Sequence, residues 1–204
     1  MYLVRHAQPE LPAGRRRFLG QSDPPLSAAG VEQAQRLAER LRTVGFDSIY
    51  GSDLQRCLQT ARIVAEQALL PPGRGGMQVT TDPRLREIDC GLWEGLTLEE
   101  AAAGYRAEYA ERERDAVGNP FPGGESFLDL RARVLPALGH ILDGGAARVL
   151  VVSHLGVARV LMCEFGGVPF ADLFSVKLEH GGVILLKGTA STDGAWYASC
   201  VGQL

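Results

Sequence analysis

The run "RVLVVSH" at residues 148–154 constrains the fold more than any other stretch of the chain. Val149 to Val152 are all apolar, so successive side chains on both sides of a strand must be buried. That is the pattern of a central strand in a parallel sheet, covered on both faces. Shorter strands are expected at Met1–Val4, in "FDSIYGS", after Met77, and in "HGGVILLKG" and "AWYASCVG". Between them the apolar spacing predicts helices. One runs from Ala28 to Val44, with Val31, Ala34, Leu37, Ala38 and Leu41 on one face. A second is capped by Ser52 or Asp53 and passes through Ile63 and Val64 to Ala68. Others cover residues 98–115, which are charged and weakly amphipathic, then Phe127–Leu142 and Val157–Phe165. "PPGRGG" is a turn-rich loop, and "GNPFPGGES" breaks the chain. Strands alternating with helices imply an α/β fold with a mostly parallel sheet.

In such sheets ligands sit beyond the carboxyl ends of the strands. Three strands deliver a cationic or imidazole group there. The first ends at Arg5-His6, the second leads through Ser52 to Arg56, and "RVLVVSH" ends at His154. Each following helix start offers unpaired N–H groups and a positive dipole end. Were these strands neighbours, two guanidiniums and two imidazoles would converge on a phosphate-sized dianion. Taken singly, each residue has an ordinary structural explanation: a surface ion pair for Arg5, a core-edge hydrogen bond for His6 or His154, a solvated helix face for Arg56. Three equivalent strand ends make that explanation strained. His140 and His180 lack the placement and are assigned structural roles.

Composition narrows the field. The 204 residues allow one domain with a substantial core, and the net charge of -3 gives no basic face for nucleic acid. No apolar run approaches the roughly 20 residues of a membrane span. A strand beginning at the first residue leaves no basic leader, so none is expected. Cys57, Cys90, Cys163 and Cys200 are widely spaced, which argues against a zinc site or disulfide framework and for free thiols in a reducing, cytoplasmic compartment.

These blocks together resemble the histidine phosphatase superfamily, the phosphoglycerate-mutase-like proteins. "LVRHAQ" is similar to the family's LVRHGET signature. "GQSDPPLSAAGVEQAQRLAERL", "IYGSDLQRCLQTARIVAE", "LREIDCGLWEG", "PGGESFLDLRARV" and "VLVVSHLGVARVLM" follow in the family's order. Ala7 replaces the commoner glycine, Gln8-Pro9 replaces Glu-Thr, and Pro12 or a neighbour stands where many members carry a phosphate-binding asparagine. The resemblance implies one domain over residues 1–204, a three-layer α/β/α sandwich with a lid-like helical insertion at about 98–125.

The resemblance also implies a role for each residue. His6 is the nucleophile that forms a phosphohistidine; Arg5, Arg56 and His154 bind and stabilise the phosphoryl group; the Leu155 N–H adds a donor. Gln21, Gly124 and Ser126 edge the substrate site. No cofactor and no metal are expected. The residues themselves leave the general acid open among Glu87, Asp89 and Glu94, and the family pattern selects Glu87, with loop capping left for the other two. The segment 104–125 is expected over the pocket mouth. Its aromatic residues Tyr105, Tyr109 and Phe121, with Trp93, either line the pocket or, the preferred reading, pack the insertion onto the domain.

The expected function is a metal-independent phosphomonoesterase on a small metabolite. Within the family the chain looks nearest to the α-ribazole-phosphate phosphatases of cobalamin assembly. Broad-specificity and phosphoserine-type phosphatases share the blocks. A phosphoglycerate mutase is the second reading, set back by chain length. A non-catalytic phospho-ligand-binding protein is the third, disfavoured because His6, Arg5, Arg56 and His154 are all present.

Overall fold

The computed structural model describes residues 1–12, 14–68, 77–190 and 196–203, with 189–190 and 196–203 as backbone only. The "PPGRGG" loop and the Cys200 side chain lie outside the described residues. Six strands form one sheet: β1 (Tyr2–Arg5), β2 (Ser48–Gly51), β3 (Val79–Thr81), β4 (Val149–Ser153), β5 (Val183–Ala190) and β6 (Trp196–Gln203). Their order is β3-β2-β4-β1-β5-β6. The first four are mutually parallel; β5 and β6 add an antiparallel edge. β4 is central and buried at every residue, as its apolar run requires.

The alternation of side chains sorts the core into two layers. Leu3, Val149, Val151, Ile184 and Leu186 face one way, onto α5 (Phe127–Asp143) and α6 (Leu155–Phe165). Val4, Leu150, Val152, Ile49 and Val183 face the other way, onto α1 (Ala28–Leu41) and α2 (Gln55–Gln67). The result is a three-layer α/β/α sandwich with a mixed, mostly parallel sheet.

Several helix ends differ from expectation for local reasons. α1 is capped by Ser27, whose Oγ accepts from Gly30 N at 3.1 Å, and it stops at Leu41 because Gly45 turns the chain at φ +65°. α2 is not capped by Ser52 or Asp53 in the usual way. Leu54 is its N-cap residue, and Asp23, from the preceding loop, accepts the Gln55 N–H at 2.6 Å. α6 starts two residues early, at Leu155, directly after His154.

Residues 98–115 form two helices, α3 (Leu98–Gly104) and α4 (Arg106–Arg114), broken at Tyr105. α3 begins with a capping box between Thr97 and Glu100. This insertion is held by an aromatic cluster. Trp93 lies 5.4 Å from Phe121, 5.8 Å from Tyr109 and 6.4 Å from Tyr105 between ring centres. The Arg112 guanidinium sits 3.7 Å over the Phe121 ring. The four aromatics are therefore packing residues, the preferred of the two readings.

Candidate active site

β2, β4 and β1 are adjacent, so their carboxyl ends meet at one rim. His6 N–H donates to Ser153 O at 2.9 Å and Ser52 N–H to Val152 O at 3.0 Å, which ties the three strand exits together. The His6 and His154 rings pack edge-on with centres 5.1 Å apart, and both are buried.

His6 is held in one tautomer. Its Nδ1 lies 2.8 Å from the Ala7 carbonyl oxygen, which can only accept, so Nδ1 carries the proton and Nε2 keeps its lone pair. Ala7 is itself fixed: its N–H donates to Thr60 Oγ1 at 3.1 Å, and its methyl is fully buried. Burial, and then the charge of Arg56, hold the His6 imidazole well below its ordinary pKa despite the Ala7 bond. Burial and the neighbouring His6 and Arg56 do the same to His154. Both rings are neutral at pH 7. The Cys57 thiol lies 3.3 Å from His154 Nε2 and is pushed far up by burial, so it is an inert neighbour.

Arg56 is 0 % exposed. Its guanidinium donates to Ser22 O at 2.6 Å and Gly20 O at 2.7 Å, while its Nε has no partner. No carboxylate among the described residues pairs with it within 4.0 Å. A wholly buried cation without a counter-charge costs several kcal/mol, and the two backbone carbonyls are the only partners its guanidinium has among the described residues. Arg5 is similar: Nη1 donates to Leu178 O at 2.7 Å, Nη2 faces His180 Nε2 at 3.0 Å, and Nε is buried without a partner.

The loop Gly20–Ser22 is clamped from both sides. Arg56 takes its carbonyls, and the Glu94 carboxylate accepts from the N–H groups of Gly20, Gln21 and Ser22 at 3.0–3.3 Å. Asp89 accepts from Gly91 N at 2.8 Å. Glu94 and Asp89 thus cap loops through backbone N–H groups.

Glu87 reaches the rim from the segment between β3 and α3. Its Oε1 accepts from Ile88 N at 2.9 Å and from Gly156 N, at the start of α6, at 3.0 Å. The loop is stapled by Arg133, which donates to Arg84 O, Arg86 O and Glu87 O at 2.8 Å each and pairs with Glu125. Ser153 Oγ adds a bond to Leu85 O at 2.7 Å. Among the described residues Glu87 makes no ion pair within 4.0 Å, although its charge is felt by Arg5 and Arg159. At the helix start, the Leu155 N–H donates to no acceptor among the described residues.

The more distant candidates have structural contacts. Gln21 Oε1 accepts from Arg86 Nη1 at 3.3 Å, and Arg86 is itself paired with Asp53 at 2.6 Å. Gly124 packs so tightly on Asp89 O that a Cβ would collide with it. Ser126 caps α5 through Asp129.

His180 is a correction to its structural assignment. Its ring centre is 5.3 Å from His6, and its Nε2 receives Arg5. Burial and the charge of Arg5 lower its pKa to about 4. The signal was present in the topology: β5 runs antiparallel to β1, so the residues entering β5 lie at the rim where β1 leaves. His140 stays structural, exposed in the last turn of α5.

Fold and site together define a three-layer α/β/α protein with a cluster of arginines and histidines at the carboxyl rim of its sheet. The model of the histidine phosphatase superfamily, branch 1, matches residues 1–196, and the chain belongs to that superfamily. It is 42% identical over 175 residues to a protein of Enterobacter sp. called "Probable phosphoglycerate mutase GpmB", covering 83% of this chain and 75% of that one. The α-ribazole phosphatase of Shigella flexneri superposes with a TM-score of 0.81 at 26% identity, covering 98% of this chain and 93% of the other. A mycobacterial glucosyl-3-phosphoglycerate phosphatase solved with VO3 gives 0.81 at 28% identity, covering 99% and 97%.

Proposed function

We propose that this chain, one domain over residues 1–204, is a metal-independent phosphomonoesterase acting on a small metabolite through a phosphohistidine at His6. The observation that carries the reading is Arg56: a fully buried guanidinium with no carboxylate partner, beside two neutral histidines. A phosphoryl dianion supplies the missing charge. Among the described residues no three His, Cys, Asp or Glu side chains converge as a ligand set, so the charge work falls to Arg5 and Arg56.

In the first step His6 Nε2 attacks phosphorus and the ester P–O bond breaks. Arg5, Arg56, His154 and the Leu155 N–H hold the equatorial oxygens. Glu87, as the acid, gives its proton to the leaving alkoxide. In the second step the Glu87 carboxylate takes a proton from water, the hydroxyl oxygen attacks phosphorus, and the P–N bond returns its electron pair to His6. Phosphate leaves, and the enzyme is restored.

Two substrate types are raised by the likenesses: α-ribazole 5′-phosphate and esters of the phosphoglycerate type. A phosphoglycerate mutase is the second reading, favoured by the name of the 42%-identical relative. The two readings differ in where the phosphoryl group goes. The test is product analysis with 3-phosphoglycerate, α-ribazole 5′-phosphate and phosphoserine, with chelator present. Inorganic phosphate released without added metal is expected. Isomerised phosphoglycerate without phosphate release would establish the mutase, and no reaction of any ester would overturn both.

A further inference from the structure

We propose that His180 is a positioning residue: its ring nitrogen, an uncharged acceptor, sets the plane of Arg5 and leaves the Nε–H edge of that guanidinium for the anion. This rests on the phosphatase reading above and adds a residue to it.

The grip on Arg5 comes from one short segment, residues 178–182. Nη1 donates to Leu178 O at 2.7 Å and Nη2 to His180 Nε2 at 3.0 Å. A guanidinium can only donate, so His180 Nε2 keeps its lone pair and the ring proton sits on Nδ1. The ring is neutral at pH 7, because burial and the charge of Arg5 lower its pKa to about 4. With both terminal nitrogens held, the plane of the guanidinium is fixed. Nε, buried and without a partner among the described residues, is the donor left over.

His180 is itself held, because its backbone forms a tight turn pinned to β1. The Gly182 N–H donates to Glu179 O at 2.9 Å and closes the turn around His180 and Gly181. Gly181 stands at φ +72°, which glycine supplies at the third position of such a turn. The Gly181 N–H donates to Arg5 O at 3.0 Å, and the Arg5 N–H to Gly182 O at 3.1 Å. Backbone and side chain of Arg5 are thus gripped by the same few residues. The His180 ring centre lies 5.3 Å from that of His6, which places this acceptor beside the proposed nucleophile.

The kind of acceptor decides what charge remains. A carboxylate would fix Arg5 equally well and cancel much of the field that an anion needs. A carbonyl and an imidazole lone pair fix it and leave the charge whole. Arg56 follows the same rule: its Nη atoms rest on Ser22 O at 2.6 Å and Gly20 O at 2.7 Å. Neither arginine forms an ion pair among the described residues. Among those residues four buried side-chain N or O atoms lack a partner, and two of them are the Nε atoms of Arg5 and Arg56. Both guanidiniums therefore keep the same edge free. Of the acceptors that hold them, His180 alone is a side chain, so it alone can be replaced by substitution.

Two measurements test this. A long-range proton–nitrogen correlation spectrum of the wild type at pH 7 reads the His180 tautomer. Nε2 should show the shift of an unprotonated ring nitrogen, and Nδ1 that of a protonated one. Calorimetry with inorganic phosphate then compares the wild type with three variants, whose folding is checked by thermal melts. His180→Phe keeps a ring and loses the acceptor, His180→Ala is a second variant without one, and His180→Gln restores an acceptor oxygen. The variants without an acceptor should bind phosphate about tenfold or more weakly, the worth of one hydrogen bond to a charged group. His180→Gln should recover most of that loss. A proton on Nε2 would overturn the assignment, as would wild-type affinity in the variants without an acceptor, or an equal loss in His180→Gln. If no ester were hydrolysed, the phosphatase reading would fall, and the tautomer and the phosphate affinities would still decide His180.

Discussion

Glu87 and Gly156 meet at the rim of the sheet: the Gly156 N–H donates to Glu87 Oε1 at 3.0 Å and Oε2 at 3.2 Å. A Cβ on Gly156 would overlap Oε1 itself. The glycine thus both anchors the carboxylate and leaves it room. Gly156→Ala should expel the Glu87 side chain toward solvent and lower kcat by about 10²–10⁴, the usual worth of a general acid. The fold should persist, because alanine is the better helix former. Steady-state kinetics with an alkyl phosphate, alongside thermal melts, check this; full activity would show that the carboxylate need not sit where it does.

Glu87→Gln separates protonation from phosphorus chemistry. An alkyl ester leaves as a basic alkoxide and needs the proton; p-nitrophenolate does not. The variant should slow phosphohistidine formation from alkyl phosphates by about 10²–10⁴ and from p-nitrophenyl phosphate far less. Rapid-quench measurement isolates this step from water attack. Equal losses for both esters, or the full effect in Asp89→Asn or Glu94→Gln, would move the acid elsewhere.

The buried charge of Arg56 predicts a thermal signature. Phosphate at 100 times its Kd should stabilise the wild type by about 2.7 kcal/mol, a rise of several degrees in Tm. Lysine's compact ammonium lacks the planar fork whose two Nη groups span Gly20 O and Ser22 O and leave further N–H donors for an anion. Arg56→Lys should lose most of the phosphate-dependent rise in a melting titration. An undiminished rise in the variant would place the anion away from Arg56.

Stability should depend on pH through the rim histidines. His6, His154 and His180 are all harder to protonate folded than free. Below the ordinary value of 6.5 the unfolded chain therefore takes up more protons, and stability falls as pH falls. The His180 share is complete above 6.5 and is lost on descending to about 4. Chemical denaturation of His180→Gln between these limits should give a shallower slope than wild type. Identical slopes would mean that His180 is not held neutral by burial and Arg5.

The sheet was legible because β4 is apolar on both faces, and the four central site residues because each ends or follows a strand. His180 was missed because the orientation of β5 is a property of pairing, not of its own residues. The clamp on the loop 20–22 was also hidden. Arg56 and Glu94 grip backbone atoms, and the sequence shows only that a charge is present, not that it turns inward. The same holds for Asp23, which caps α2 from another loop. Arg112, in a charged and weakly amphipathic helix, reads as solvated yet lies buried over Phe121.

The phosphohistidine itself is the most direct test of the account. The protein is mixed with an ester labelled in its phosphoryl group, quenched within milliseconds in alkali, and the label is located by peptide mapping. The account predicts acid-labile label on His6, formed and discharged at rates consistent with kcat, and none in a folded His6→Ala protein, which should also release no phosphate. Label on another residue, or phosphate release by folded His6→Ala at the wild-type rate, would contradict it.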